Sequence, residues 1–232
     1  MPSIHTRRPA RHRTALAAAA ALLGLVGVVV GTLVVAPAAR ADTVSYSGSF
    51  SDDDERFSLG FSFVAAQTLV ARTFSYGGGV NGDAQVIGAG GFAPVLSLFD
   101  ATGLLLQIAS GSAADCLSGV GAVDPASGFC WDVGLSAALA AGDYTLVLTQ
   151  DANLPFGPSL ADGFSMTGSP DYTGLAYLGL PGLRFINVDG TQRDGHWALD
   201  VNATAIPVPS SVALLAAGLL AFGATVRRCR SA

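Results

Sequence analysis

The chain contains no lysine, and between its two terminal segments it contains a single histidine, His196. The absence of lysine excludes enzymes that need a phosphate-loop lysine, a kinase lysine or a lysine that binds pyridoxal phosphate as a Schiff base. One histidine excludes an HExxH helix and metal sites with two or three histidine ligands. The sequence therefore identifies no cofactor, and only calcium, which binds oxygen ligands, is considered below.

Charge is scarce and unevenly distributed along the chain. Charged residues make up 12% of the sequence, and the twelve basic residues are all arginine. All seventeen acidic residues lie between residues 42 and 200, where only four arginines accompany them, so this segment has a net charge of −13. Phosphate binding needs clustered lysine or arginine. We therefore expect no nucleic-acid or anionic-lipid partner for this segment.

The N-terminal segment has the three parts of an export signal. A basic start is followed by an apolar stretch over residues 15–35 and by the small-residue site Ala39-Arg40-Ala41. This order is typical of a secretory signal peptide. We expect residues 1–41 to be removed before Asp42, with signal peptidase and the export machinery as partners.

The C-terminal segment carries a second apolar run. Pro207 and Pro209 end any preceding regular structure, and residues 212–226 form a helix-prone run followed by basic residues at Arg227, Arg228 and Arg230. The run is shorter than the roughly 20 residues of a stable membrane span, but the basic end fits an orientation with the globular part outside. An apolar core helix is the alternative, although the run shows no polar face.

This tail resembles the PEP-CTERM sorting signal of exported bacterial proteins. The resemblance is carried by Pro207-Val208-Pro209, by Ser210, and by the apolar and arginine-rich parts that follow. It departs from the family where Val208 replaces the usual glutamate. In that family the tail is recognised by exosortase, a membrane protease-transpeptidase of bacteria that build exopolysaccharide matrices. The resemblance implies a temporary membrane anchor at 206–232, exosortase as a partner, and a final location at the cell surface or in the extracellular matrix, where exopolysaccharide is a further partner.

Between the two ends, at residues 42–205, the periodicity is that of β-strands. Apolar and small polar residues alternate over 57–63, which predicts a half-buried strand. Six further segments are similar in length and are bounded by Gly, Asp, Asn or Pro: 69–74, 94–99, 104–109, 144–149, 183–188 and 196–201. This pattern favours one antiparallel β-sandwich. The turn Asp100-Ala101-Thr102-Gly103 predicts a hairpin.

The same stretches resemble the bacterial pre-peptidase C-terminal domain. The resemblance is carried by the acidic start at 52–55 that leads into 57–63, by the sequence GFAPVLSLFDATG at 91–103, and by AGDYTLVL at 141–148. It covers about residues 45–150 and implies a jelly-roll-like β-sandwich that serves as an accessory or binding module. Some members of the family bind calcium or matrix polymers. We interpret residues 151–200 as loops and strands that complete the same domain.

Two features suggest ligand binding. Aspartates at expected strand edges, among them Asp52, Asp53, Asp54 and Asp100, supply the oxygen ligands that calcium prefers, but they form no known calcium loop, and a solvated acidic surface is the alternative. The glycine-rich stretch 76–91 predicts a long flexible surface loop. Its Tyr76, Asn81 and Asp83 offer an aromatic face and polar groups suited to a sugar.

The cysteines fit an exported protein. Cys116 and Cys130 flank a loop rich in small residues, and a disulfide that closes a loop of about 15 residues contributes roughly 3 kcal/mol in the chain-entropy model. We predict that they pair, because the compartment is oxidising. Cys229 lies in the tail.

Catalysis has one weak candidate. His196 with Ser165 and either Asp194 or Asp162 supplies the residue types of an acyl-transfer triad, but no G-x-S-x-G motif surrounds the serine. We therefore expect a non-enzymatic exported protein, with a glycan- or calcium-binding module as the second hypothesis and a secreted hydrolase as the third.

Overall fold

The computed structural model describes residues 43–113, 123–124 and 128–206. This part of the chain holds ten strands, namely β1 (Thr43–Ser49), β2 (Phe57–Phe63), β3 (Gln67–Phe74), β4 (Gly79–Val80), β5 (Val86–Ile87), β6 (Pro94–Asp100), β7 (Leu105–Ser110), β8 (Gly134–Leu139), β9 (Gly142–Gln150) and β10 (His196–Ala205). It also holds one α-helix, α1 (Tyr172–Leu178), and a 3-10 turn at Leu160–Asp162. Within these residues no helix is long and apolar enough to cross a membrane.

Eight of the strands form two four-stranded antiparallel sheets. The first sheet has the order β1-β10-β3-β8 and the second has the order β2-β9-β6-β7, while β4 and β5 form a separate two-stranded ribbon. Among the eight long strands the pairing is nested: the first pairs with the last, the second with the seventh, the third with the sixth and the fourth with the fifth. Taken from the outermost to the innermost, these four strand pairs belong alternately to the first and to the second sheet.

One apolar core joins the two sheets. Its buried cluster takes Leu69 and Leu199 from the first sheet and Leu96 and Leu148 from the second. Each strand alternates between this core and its other face, as the period of two requires. The all-β, antiparallel, sandwich-like fold predicted from the sequence is therefore confirmed, whereas both expected terminal helices lie outside the described residues.

The outer face of the second sheet is also covered. Phe99 and Val147 on that face pack against Phe164, which belongs to the connection between β9 and β10. This covering explains why β6 is buried at six consecutive positions, since both of its faces meet apolar side chains. The interpretation of 151–200 as part of the same domain fits this packing.

The prediction of a strand at 183–188 is wrong. Only an isolated bridge from Ile186 to Gln192 forms there. Phe185 has a positive φ of 55°, a conformation that a strand does not accept. Its N–H donates to the carboxylate of Asp53 instead of to a neighbouring strand. Strands β1 and β8, which consist largely of small residues, were not predicted.

The two ends of the sandwich differ in their connections. We call proximal the end where β1 begins and β10 ends, because Thr43 lies opposite Asn202 there, and distal the end where Ser49 lies opposite His196. The proximal connections are short, at residues 64–66, 101–104 and 140–141. The distal connections are long, at residues 50–56, 75–93, 111–133 and 151–195. Irregular structure that could form a site is therefore concentrated at the distal end.

Candidate functional site

A buried carboxylate, Asp132, organises the distal connection that leaves β3. Its side chain accepts hydrogen bonds from the backbone N–H of Ser75 at 2.7 Å and of Gly77 at 2.7 Å. Asp132 is only 2% exposed. Burial raises the pKa of Asp132, while the backbone hydrogen bonds act in the opposite direction. The chain after β3 is thereby wrapped around one carboxylate, which fixes the position of the residue between these two donors, Tyr76.

A second buried carboxylate, Asp53, holds the other side of the distal end. It accepts hydrogen bonds from the N–H of Thr173 at 2.8 Å, from the hydroxyl of Thr173 at 2.6 Å and from the N–H of Phe185 at 2.6 Å. Burial raises the pKa of Asp53, and these hydrogen bonds lower it by less. Asp53 therefore ties the connection between β1 and β2 to the helix α1 and to the segment that follows it.

These two anchors border a pocket at the distal end, which we call the distal pocket. Its floor is buried and comprises the aromatic rings of Phe92 and Phe185 together with Gln150. Its rim is half-exposed and carries aromatic, amide and charged side chains: Trp131, Tyr177, Asp151, Asn187 and Arg193. The enclosed space is about 20 Å³. An apolar floor with a few polar groups on the rim is the usual composition of a ligand site.

The Tyr76 ring lies behind one wall of the pocket, where it contacts the lining residues Arg193 and Trp131. The guanidinium of Arg193 lies 3.5 Å from the centre of the Tyr76 ring, a cation–π contact that fixes both side chains. The Tyr76 ring also contacts Trp131, with 5.9 Å between ring centroids. Its hydroxyl accepts a hydrogen bond from the Asn187 amide at 3.0 Å. Burial raises the pKa of the Tyr76 hydroxyl, and the positive charge of Arg193 opposes this shift.

The three residues predicted to form one ligand edge, Tyr76, Asn81 and Asp83, do not lie together. One lies beside the distal pocket and two lie at the β4–β5 ribbon. Tyr76 is buried beside the distal pocket, whereas the Asn81 side chain accepts the N–H of Gln85 at 2.8 Å and closes the β4–β5 ribbon. Asp83 is exposed between β4 and β5. The stretch 76–91 contains the β4–β5 ribbon and is tied to Asp132 through Tyr76 and Gly77, and its flexibility stays a prediction.

The aspartates proposed for calcium serve different parts of the molecule. Asp52 forms an ion pair with Arg184 at 2.9 Å, and Asp54 accepts the N–H of Gly168 at 2.8 Å. Asp100 lies at the proximal end, where it accepts the N–H of Thr102 at 2.8 Å. In the described part of the chain, no group of three or more His, Cys, Asp or Glu is placed to hold a metal ion. Calcium binding stays a prediction.

The structure brings together only part of the candidate triad. The Nδ1 of His196 contacts the Asp194 carboxylate, and its Nε2 lies 2.8 Å from the carbonyl oxygen of Gly88. The Ser165 hydroxyl donates to the carbonyl of Ala152 at 2.7 Å. Asp162 accepts the N–H of Ser159 and caps the 3-10 turn. Each of these groups is engaged locally, and hydrolysis stays a prediction.

Several predicted residues lie outside the described part. Cys116 and the sorting residues from Pro207 to Arg230 belong to this set. Cys130 is fully buried, and its bond to Cys116 stays a prediction.

Sequence reasoning missed the main residues of the distal pocket. The lining residues Gln150, Trp131 and Arg193 and the anchor Asp132 form no spacing motif, because they come from the end of β9 and from two different connections. One signal was available, since Arg193 is one of only four arginines in the acidic segment. Comparison with protein-family models and with curated proteins gives no match for this chain.

Proposed function

We propose that the protein is a non-enzymatic exported module that is sorted through its C-terminal tail to the cell envelope or the extracellular polysaccharide matrix. In this proposal residues 1–41 are removed on export, the C-terminal tail follows the proximal end of β10, and the distal end carries the exposed binding surface. The sorting enzyme is of the exosortase type, and the tail acts as a temporary anchor.

The observation that carries the proposal is the opposite placement of the termini and the long connections. Residue 43 and residue 206, where the terminal segments join the fold, belong to strand ends at the proximal end. All four long connections and the distal pocket lie at the other end. With a rise of about 3.3 Å per residue, β10 separates the two ends by about 30 Å. An anchor on the C-terminal tail would therefore leave the distal pocket accessible.

The boundaries of the fold also support the proposal. β10 ends at Ala205, directly before the predicted sorting segment at 206–232, and the described part of β1 at Thr43–Ser49 lies after the predicted cleavage site. Processing at either predicted position would remove no residue of the two sheets.

We further propose that the fold is a jelly roll. Nested pairing of eight strands, with successive pairs placed alternately in two sheets, is what results when one long antiparallel ribbon is rolled up. The strand orders β1-β10-β3-β8 and β2-β9-β6-β7 support this assignment. They are also compatible with the resemblance to the pre-peptidase C-terminal domain.

The experiment that tests sorting is an intact mass of the protein recovered from the envelope and the medium of its native host. A mass that lacks residues 1–41 and ends between residues 205 and 211 is the expected result. A further loss of two hydrogens would establish the Cys116–Cys130 bond. An uncleaved tail, or recovery from the cytoplasm, would contradict the proposal.

Glycan binding is the second candidate function, and the distal pocket favours it. Loops positioned by a rigid sheet are where binding sites usually form. Here aromatic and amide side chains on such loops surround one pocket.

A further inference from the structure

Two residues that line the distal pocket each carry a buried side-chain atom with no hydrogen-bond partner among the described residues. They are Oε1 of Gln150, whose residue is only 4% exposed, and Nε of Arg193. Leaving a buried donor or acceptor unsatisfied is costly, so each such group needs an explanation. Both residues line the same pocket, which indicates that one bound group satisfies them.

The chemistry of the two atoms defines that group. Gln150 Oε1 can only accept a hydrogen bond, whereas Arg193 Nε–H can only donate one. A hydroxyl group donates and accepts at the same time. The enclosed space of about 20 Å³ is the size that one hydroxyl or one water molecule occupies. A group of this size on a larger ligand could enter the pocket while the rest of the ligand stays at the rim.

The rim indicates what the rest of the ligand is. Trp131 and Tyr177 are half-exposed there, and aromatic rings of this kind offer an apolar surface that needs little ordering. Tyr76 and Arg193 hold this wall in place through their 3.5 Å contact. A pyranose ring has an apolar C–H face and hydroxyl groups around its edge, so it matches both the rim and the floor.

The charge around the pocket selects between neutral and acidic sugars. Asp151 and Arg193 both line the pocket, and Asp189 and Asp194 lie in the same connection as these two residues. The whole segment between residues 42 and 200 has a net charge of −13. Because like charges repel an anionic polymer, a neutral saccharide is favoured over one that carries carboxylates or sulfates.

We propose that the distal pocket binds a neutral saccharide, with one sugar hydroxyl between Gln150 Oε1 and Arg193 Nε and the ring against Trp131 and Tyr177. This inference rests on the proposed function, since it names the class of matrix polymer that the exported module holds. It assigns no reaction to the site.

The test is a titration of the full-length protein with neutral and acidic oligosaccharides. The neutral probes are maltohexaose, cellohexaose and mannohexaose, and the acidic probe is hexagalacturonate. Tryptophan fluorescence reports binding, because Trp131 lines the pocket while the second tryptophan, Trp197, is buried in the core. We expect at least one neutral probe to give a saturable change. Gln150→Leu and Arg193→Gln should each weaken its affinity about tenfold, the effect of losing one hydrogen bond.

Three variants make the result specific. Gln107→Leu on β7 and Arg56→Gln beside Phe164 are matched controls away from the pocket, and both should bind as the unmodified protein does. Tyr177→Ala changes only the rim and should also weaken binding, which keeps the test valid if Gln150→Leu fails to fold. Binding of hexagalacturonate alone, no binding of any probe, or equal affinity in all variants would overturn the inference. None of these outcomes alters the mass that tests sorting, so the two proposals fail independently.

Discussion

At the proximal end the strands are joined by turns of two to four residues, whereas at the distal end four long connections are held by buried carboxylates. The proximal end has an apolar groove of about 180 Å³ between the two sheets, lined by residues such as Tyr46, Phe61 and Val201. The distal end has a smaller pocket with polar and charged side chains on its rim.

This difference shows how one fold can combine a regular end, which the strand pairs stabilise, with an irregular end, which carries a pocket. Regular strand pairing and apolar contacts stabilise the proximal end, so its residues can vary in detail without loss of structure. Apart from the short β4–β5 ribbon, the distal connections form no regular strand pairs among the described residues, and several of their backbone N–H groups donate to Asp53 and Asp132 instead. Substitutions should therefore have larger and more specific effects at the distal end.

The largest expected effect is that of Asp53→Ala. The change removes the acceptor of the Thr173 and Phe185 N–H groups, which are buried. An unsatisfied buried donor costs about 1–3 kcal/mol, so we expect the free energy of unfolding to fall by about 4 kcal/mol. Urea denaturation measures this value.

The neighbouring residue provides the control for this prediction. Asp52 forms an ion pair with Arg184 in which both side chains are about one-third to one-half exposed. Exposed pairs contribute less than about 1 kcal/mol, so Asp52→Ala should be nearly neutral. Similar losses in the two variants would mean that Asp53 acts through its charge and not through its backbone contacts.

The second prediction concerns Gly174 in α1. Helix propensity alone favours alanine over glycine by about 1 kcal/mol. Here a Cβ atom would overlap the carbonyl oxygen of Leu183 and would lie 2.8 Å from that of Leu180. We therefore expect Gly174→Ala to lower the free energy of unfolding by about 3 kcal/mol in urea denaturation.

The exposed Ala176 in the same helix is the matched control. Ala176→Gly should cost only about 1 kcal/mol, the difference in helix propensity. A Gly174→Ala variant more stable than the unmodified protein would show that the segment after α1 can move away, and that the distal end is less constrained than its contacts indicate.

The sequence predicted the regular part of the molecule better than the irregular part. The alternating residues of 57–63 form β2 with those bounds, and the turn at Asp100–Gly103 joins β6 to β7 with a 2.9 Å hydrogen bond between its ends. Both signals are local. The anchors at Asp53 and Asp132 depend on partners 55 or more positions away, and no local pattern records such pairs.

The third prediction compares the pH dependence of stability at the two ends. Burial raises the pKa of Asp132 above its ordinary value of 3.8, so folding favours its protonated carboxyl group. This contribution to stability is fully present below pH 3.8 and is lost as the pH rises through the raised pKa. Hydrogen bonds from Thr102, first that of its hydroxyl, lower the pKa of Asp100 at the proximal end. Its contribution is present above 3.8 and is lost as the pH falls through the lowered pKa.

Asp132→Asn and Asp100→Asn test this contrast by urea denaturation at a series of pH values between about 3 and 7. The free energy of unfolding of the unmodified protein minus that of Asp132→Asn should fall as the pH rises. The corresponding difference between the unmodified protein and Asp100→Asn should increase as the pH rises. Slopes of the same sign would show that the overall negative charge, and not the local environment, controls both carboxylates.

The smallest expected effect is that of Gly60→Ala in β2 at the proximal end. A Cβ atom at Gly60 would meet no atom within 4 Å, and Gly60 lies on the exposed face of β2. Since alanine loses less backbone entropy on folding than glycine does, we expect a gain of about 0.5 kcal/mol in urea denaturation. Gly48→Ala in β1 is the control, because its Cβ would lie 2.7 Å from the Trp197 ring and should destabilise the fold. A loss at Gly60 as large as that at Gly48 would mean that the exposed face of β2 is covered in the folded protein. The proximal end would then be as tightly specified as the distal end.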